Sequence, residues 1–200
     1  MIAILDYGSG NLRSALRAFE TTGRKVTLTA DPEVALSAAG LVVPGVGAFA
    51  SCMQGLLKVN GDQIIKDRIA NGKSTLGICV GMQILFESGT EHQITSGVGI
   101  IKGQVEKLKA PVLPHMGWNN LRINGETQLF KGIERESFYF VHSYAVKEST
   151  VSNLDCVAFT NYHEEFLAAF EQGPIAGTQF HPEKSGAAGL KLISNWVRSL

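Results

Sequence analysis

The chain has 200 residues, of which 44% are apolar, which is enough for one buried hydrophobic core but short for two domains. Its 18 Lys and Arg residues balance its 18 Asp and Glu residues, and neither sign forms a run typical of nucleic-acid or membrane binding. No stretch approaches the roughly 18 apolar residues that cross a bilayer, and the first six residues indicate a buried strand rather than a secretory leader. We therefore expect one cytoplasmic domain over residues 1–200.

The three cysteines are too few and too widely spaced for a disulfide framework or a zinc site. Cys52 falls in a helical pattern and Cys156 in a strand pattern, so we expect both in the core. This usage favours a reducing compartment, and no metal or cofactor site is predicted.

The first half of the chain alternates short apolar runs with stretches of helical period, which predicts βα units on a parallel sheet. The predicted strands are residues 2–7, 26–29, 41–43 and 74–78. Helical patterns cover residues 12–23, 33–38, 53–57 and 65–69. Proline and glycine at residues 44–47 indicate an open loop at the carboxyl end of the third strand.

Beyond about residue 97 the pattern changes to strand-like runs with turns, as at residues 103–108 and 138–146. We expect these runs to add a mixed or antiparallel portion to the sheet. A closing amphipathic helix is marked by Leu190, Ile193, Val197 and Leu200. The sequence thus predicts an α/β fold, and open parallel sheets of this kind bind ligands at their carboxyl edge.

Cys79 lies between Gly77 and Gly81, after a predicted buried strand and before a helical stretch. This is the form of a nucleophile elbow with cysteine in place of serine, in which glycines let neighbouring backbone pass closely. A helix that begins at Val80 would direct its amino-terminal dipole at the sulfur, which favours the thiolate. A lone cysteine is usually a core residue, but this combination favours a nucleophile.

A base for that nucleophile is offered by His181 and Glu183, on either side of Pro182. Two positions apart in an extended segment, the two side chains would emerge on the same face. The carboxylate could then hold the imidazole while its other nitrogen exchanges a proton with Cys79. Alone, the triplet could be an ordinary surface turn; with the elbow it predicts a Cys-His-Glu triad.

An acyl transfer also needs an oxyanion hole, whose first N–H donor is expected at Val80. The loop of Gly45, Val46 and Gly47 is the natural second source, although a plain strand-to-helix connection is an equal alternative. Among the histidines, His92 and His163 are predicted at the surface. His115 and His142 are interpreted as partly buried side chains with satisfied hydrogen bonds.

At residues 77–83 and 181–183 the sequence resembles the class I triad glutamine amidotransferases. Residues 6–12, 44–49, 114–119, 139–144 and 179–185 narrow this resemblance to the glutaminase subunits of imidazole glycerol phosphate synthase. The matching segments span nearly the whole chain in order. The resemblance implies a flavodoxin-like three-layer α/β domain, with a mostly parallel central sheet and an antiparallel extension.

The resemblance also implies that the chain hydrolyses glutamine and forms a heterodimer with a (β/α)₈ barrel cyclase subunit. The ammonia would serve the synthesis of imidazole glycerol phosphate and an aminoimidazole carboxamide ribotide in histidine biosynthesis. The residues that it assigns to glutamine binding are Gln83, Glu91, His142, Ser143 and Tyr144. Those that it assigns to the partner interface are Asn11, Trp118 and Lys184.

Three alternatives remain open from the sequence. A glutaminase that serves anthranilate, guanylate or pyridoxal phosphate synthesis would share the triad but lack the segments at residues 114–119 and 139–144. A stand-alone cysteine hydrolase or peptidase would share the elbow alone. A non-catalytic binding module is disfavoured, because it would not need all three triad side chains.

Overall fold

The computed structural model describes residues 1–148, 151 and 154–200. Within these residues the strands are β1 Ile2–Leu5, β2 Val26–Thr29, β3 Gly40–Gly45, β4 Thr75–Cys79, β5 Phe86–Gly89, β6 Thr95–Ser96, β7 Ile101–Lys107, β8 His115–Asn120, β9 Arg122–Asn124, β10 Ser137–His142, β11 Tyr144–Val146, β12 Cys156–Asn161, β13 Glu165–Gln172 and β14 Ile175–Thr178. The helices are α1 Leu12–Glu20, α2 Pro32–Ser37, α3 Phe49–Lys58, α4 Gly61–Ala70, α5 Val80–Gln83 and α6 Gly186–Arg198, and a 3₁₀ turn covers Pro182–Lys184. As far as Cys79, successive strands are joined by one or two helices, as predicted for βα units.

The central sheet has eight strands in the order β2-β1-β3-β4-β14-β13-β12-β9. From β2 to β14 all neighbours run parallel, while β13 is antiparallel to both β14 and β12, and β12 to β9. Strands β1, β3, β4 and β14 are buried along their whole length, as expected for apolar runs covered on both faces. The predicted parallel sheet with an antiparallel extension is confirmed.

The predicted place of two segments is wrong. Residues 103–108 and 138–146 form strands, but β7 and β11 pair with each other in a four-stranded sheet, and β10 pairs with β8 in a two-stranded one. The antiparallel extension of the central sheet consists instead of β13, β12 and β9. Alternation of apolar residues predicts a half-buried strand but carries no information about which strand it pairs with.

The helix ends follow local chemistry. Asn11 Oδ1 accepts from the Ser14 N–H at 3.4 Å to begin α1, and Asp31 Oδ1 accepts from the Glu33 N–H at 2.8 Å to begin α2. Proline stands at the first position of α2, where its missing N–H costs nothing. Among the described residues, no helix is long and apolar enough to cross a membrane.

The closing helix α6 buries most of the predicted stripe: Ile193 and Val197 are buried, and Leu200 is partly buried against the core. Its buried side chains include Leu192, Ile193, Trp196 and Val197, whereas Leu190 is 39% exposed. Trp196 belongs to this buried face, and its ring meets Phe19 of α1 edge-on with centroids 5.8 Å apart. The buried face thus includes Leu192 and Trp196 and leaves Leu190 exposed.

The carboxyl ends of β3 and β4 meet at one edge of the central sheet, where Gly45 and Cys79 are register partners. Residues 44–47 consequently lie beside Cys79. The segment with His181 follows β14, the other neighbour of β4. The sheet order thus brings together three segments that are far apart in the chain, the last of them about a hundred positions after Cys79.

Candidate active site

Cys79 is the last residue of β4 and directly precedes the short helix α5. Its backbone has φ 56° and ψ −117°, a conformation that costs free energy in a residue other than glycine. A Cβ added at Gly77 would lie 2.7 Å from the Gly81 carbonyl oxygen, and one added at Gly81 would clash with the Val43 carbonyl. The strained turn therefore requires glycine on both sides of the cysteine.

His181 and Glu183 form a buried pair. His181 Nδ1 lies 2.8 Å from Glu183 Oε1, and each side chain is only 3% exposed. The predicted extended segment is wrong, since Pro182 begins a 3₁₀ turn that folds Glu183 back to the imidazole. Proline favours this geometry because its fixed φ suits the first position of a helical turn.

The electrostatics of His181 are dominated by two neighbours. Burial disfavours the imidazolium, but interactions with the Cys79 thiol and with Glu183 outweigh it and raise the pKa of His181 to about 10. The ring can therefore hold a proton at neutral pH while it contacts both the sulfur and the carboxylate. Such a ring can serve as a proton donor to a leaving group.

These groups open onto a cavity of about 300 Å³. It is lined by Val46, Gly47, Cys79, Val80, Gln83, Glu91, Val141, His142, Ser143, Tyr144, His181 and Lys184. The size suits one small molecule with a few polar groups.

The loop opposite Cys79 is held by Ser9. The Val46 N–H donates to Ser9 Oγ at 3.1 Å, and the Ser9 hydroxyl donates to the Val46 carbonyl at 2.8 Å. Cys52 Sγ lies 3.1 Å from the same hydroxyl, and Gly47 has φ 94°. In this conformation the Val46 N–H is engaged by Ser9 rather than directed at the cavity.

Comparison with known proteins shows the family of the chain. The Glutamine amidotransferase class-I family model matches residues 3–200. The chain belongs to the class-I glutamine amidotransferase family. Curated relatives named imidazole glycerol phosphate synthase subunit HisH are 51% identical in Mycolicibacterium paratuberculosis and 52% in Thermobifida fusca. Each alignment covers 100% of this chain and 98% of the relative.

Solved structures agree on the fold of this amidotransferase. A structure described as a glutamine amidotransferase is 15% identical, with a TM-score of 0.76 over 98% of this chain and 97% of the other. The structure of PurLQS from Thermotoga maritima is 19% identical, with a TM-score of 0.76 over 99% and 97%. At these identities the likeness shows the fold alone, and it confirms the predicted fold class.

The residues that the amidotransferase resemblance assigned to glutamine binding all line the cavity. Gln83 Nε2 donates to the Tyr144 carbonyl at 2.8 Å and to Gln179 Oε1 at 2.9 Å, which uses both of its protons. Glu91 Oε2 accepts from the Phe49 N–H at 2.9 Å. The amide oxygen of Gln83 and the second carboxylate oxygen of Glu91 are the groups that such bonds leave for a ligand.

His115 and His142 form a buried neutral pair. His115 Nδ1 lies 3.1 Å from His142 Nε2, and His142 Nδ1 lies 3.0 Å from the Tyr144 carbonyl. Burial lowers the pKa of His115 to about 4 and is the main cause that lowers that of His142 to about 3. Because a carbonyl only accepts, His142 donates from Nδ1 and receives the His115 proton at Nε2. His142 thus combines a satisfied ring with a place in the cavity wall.

The residues assigned to the partner interface are at the surface. Asn11 and Lys184 are exposed, and Trp118 is 57% exposed. The Trp118 ring meets Tyr139 edge-on at 6.0 Å, and Lys184 also lines the cavity. Lys184 therefore belongs to both the surface and the site.

Sequence reasoning missed two polar side chains at the site. Ser9 holds the Val46 loop, and Gln179 places its Nε2 3.8 Å from Cys79 Sγ. Gln179 stands two positions before His181 directly after a buried strand, which is the signal that could have identified it. Ser9 carried no comparable signal, since a serine between two glycines is typical of any turn.

Proposed function

We propose that the chain is a single-domain glutaminase that releases ammonia from glutamine through Cys79, His181 and Glu183. The observation that carries this proposal is the strained Cys79 backbone next to an imidazole that is paired with a buried carboxylate. Strain of this kind is retained where the surrounding structure enforces it for function. The cavity in front of the sulfur has room for one glutamine side chain.

In the first half of the reaction the Cys79 thiolate attacks the side-chain amide carbon of glutamine. N–H donors from Val80 and the loop of Gly45, Val46 and Gly47 stabilise the oxyanion, and His181 protonates the departing ammonia. In the second half His181 accepts a proton from water, which cleaves the glutamyl thioester to glutamate. Glu183 orients the imidazole and stabilises its cation in both halves.

Glutamine would be recognised by its backbone groups as well as its amide. Glu91 supplies a carboxylate for the substrate ammonium group, and Gln83 supplies an amide oxygen that can only accept. The backbone around His142, Ser143 and Tyr144 receives the substrate α-carboxylate. The pair of His115 and His142 is neutral, so it adds no positive charge beside the His181 imidazolium.

The ammonia would be used by a partner subunit. The relatives' name describes a subunit of imidazole glycerol phosphate synthase, and we extend that assembly to this chain. The partner would be a (β/α)₈ barrel cyclase of histidine biosynthesis, docked over Asn11, Trp118 and Lys184. The exposure of Trp118 supports this, because large aromatic residues are frequent anchors of protein interfaces.

The glutaminase would be weak without its partner. The Val46 N–H bonded to Ser9 is unavailable to an oxyanion, and loss of one such donor costs about 10²- to 10³-fold in turnover. Docking would have to release this N–H before the reaction is fast. Free hydrolysis of glutamine would otherwise waste ammonia.

The proposal is tested by measuring ammonia release from glutamine, with and without a cyclase subunit of the relatives' synthase. We expect slow release by the chain alone and an increase of about 10²-fold or more in the complex. The same turnover in both cases would contradict the partner dependence. Hydrolysis of peptides but not of glutamine would contradict the glutaminase itself.

A further inference from the structure

Gln179 is a buried amide that connects the glutamine-binding wall to the sulfur. The residue is 0% exposed, its Oε1 accepts from Gln83 Nε2 at 2.9 Å, and its Nε2 lies 3.8 Å from Cys79 Sγ. A buried primary amide must find partners for both ends, because unpaired polar groups are costly away from water. Cys79 is the partner of the nitrogen end.

The orientation of the Gln179 amide is determined by the Tyr144 carbonyl, to which it is connected through the side chain of Gln83. The Tyr144 carbonyl can only accept, so Gln83 must present its NH₂ group there, at 2.8 Å. The second proton of that NH₂ group points to Gln179, which therefore presents its oxygen. The reverse orientation of Gln179 would set two NH₂ groups against each other. An N–H of Gln179 must consequently face the sulfur.

We propose that Gln179 is a positioning residue: its amide N–H donates to the Cys79 thiolate and holds the sulfur towards both His181 and the cavity. A hydrogen bond from a neutral donor favours the charged form of its acceptor, so the bond strengthens when the thiol loses its proton. Gln179 transfers no proton itself. This inference rests on the proposed role of Cys79 as the nucleophile.

The surroundings of Cys79 also explain why a hydrogen-bond donor lies next to its sulfur. The helix α5 that follows Cys79 has only four residues, so its dipole is a small source of stabilisation for the thiolate. The imidazolium of His181 supplies one favourable contact, and the amide of Gln179 supplies a second that stays neutral during turnover. The thiolate thus keeps one fixed donor while His181 gives up its proton.

The test uses Gln179→Met, which keeps the side-chain length but removes the amide. The rate of Cys79 alkylation by iodoacetamide is measured as a function of pH. The midpoint of this pH profile should rise by about one pH unit in the variant, because about tenfold less thiolate is then present at a given pH. With the partner present, kcat for glutamine should fall about tenfold, in step with the smaller thiolate fraction. Labelling of Cys52 and Cys156 is subtracted with the Cys79→Ala protein.

The matched control is Gln104→Met on β7. The Gln104 amide donates to Ser88 Oγ at 2.9 Å and is not in the cavity wall, so its loss should leave both the alkylation midpoint and kcat unchanged. An alkylation midpoint that stays the same in folded Gln179→Met would overturn the inference. It would leave Gln179 a packing residue.

A second measurement needs no variant of Gln179 to fold. In the unmodified chain, the side-chain amide protons of Gln179 are followed by NMR with pH, and their shift should have the same midpoint as the alkylation. Cys79→Ala should abolish this shift. Gln179 amide protons whose chemical shift does not change at the alkylation midpoint would overturn the inference. Glutamine turnover retained by Cys79→Ala would overturn the proposed function instead.

Discussion

Two groups of buried polar atoms lie at opposite ends of the strands β3 and β4. At the amino ends, the Arg68 guanidinium is 0% exposed and donates to the carbonyls of Ala35, Leu36, Ala38, Ala39 and Ser74. At the carboxyl ends, Cys79 and His181 contact each other at the wall of a cavity. The same strands therefore support one fully bonded group and one that faces open space.

The hydrogen bonding of the buried groups at these two ends distinguishes a structural group from a functional one. Burial lowers the pKa of Arg68 to about 10, but the surrounding carbonyls use its donors, which leaves it nothing to offer a ligand. Beside Cys79, Gln83 and Glu91 use only part of their hydrogen-bonding capacity within the protein, and both line the cavity. A buried polar group indicates function when part of its bonding capacity is left for a ligand.

The strongest test of this comparison is Cys79→Ala. Loss of the nucleophile should reduce glutamine turnover by about 10⁶-fold, while ammonia-dependent synthesis by the assembled complex continues. The matched control is Cys156→Ala, which removes a buried thiol from β12 and should keep turnover per folded molecule. Ammonia release is measured for both, and a Cys79→Ala protein that still hydrolysed glutamine would reject the assignment.

Arg68→Met should have the opposite effect, on stability rather than on turnover. Removing the guanidinium leaves several buried carbonyls unpaired, which should lower the free energy of unfolding by about 3 kcal/mol. Turnover per folded molecule should be unchanged, since Arg68 lies at the far end of the strands. Urea denaturation measures the loss, with Arg198→Met at the surface as the control. A fully stable Arg68→Met protein would remove the structural half of the comparison.

The site should also make stability depend on pH. Burial disfavours the His181 cation, but Cys79 and Glu183 raise its pKa to about 10, above the ordinary value of 6.5. Stability from a raised pKa is fully present below 6.5 and is lost as the pH rises towards 10. The advantage of the unmodified chain over His181→Asn should therefore shrink across this window, as measured by denaturation at several pH values. The exposed control His163→Asn should show no such trend.

The smallest expected effect is that of Ser9→Ala. Without the hydroxyl, the Val46 N–H loses a bond of about 1 kcal/mol, so basal glutaminase turnover should rise about fivefold. Turnover in the complex should stay the same, which narrows the gap between free and assembled enzyme. Ammonia release by the two forms measures this ratio. An unchanged ratio would show that Ser9 does not hold the loop.

The sequence predicted the parts of the molecule whose reasons are local. The glycines around Cys79 and the buried strands β3 and β4 each follow from the chemistry of neighbouring residues. The pairing of β7 with β11 could not be predicted in this way, because it depends on contacts between distant segments. The exposure of Leu190 on α6 could not be predicted for the same reason, since the buried face of this helix depends on contacts such as that of Trp196 with Phe19.

The site was predictable to the same extent. Cys79, His181 and Glu183 stand in short segments that constrain one another, whereas the bonds of Gln179 and Ser9 join residues far apart in the chain. The pairing of His181 with Glu183 was predicted from an extended segment, but the structure forms it through a 3₁₀ turn at Pro182. Spacing indicated which side chains act together, and only the folded chain gave their orientation.

The most direct test of the account is to trap the covalent intermediate. The complex is quenched with acid during glutamine turnover, and its peptides are analysed by mass spectrometry. We expect one glutamyl group on the peptide with Cys79, and none when Cys79 is replaced by alanine. Rapid turnover with an unmodified Cys79, or with the glutamyl group on another residue, would contradict the account.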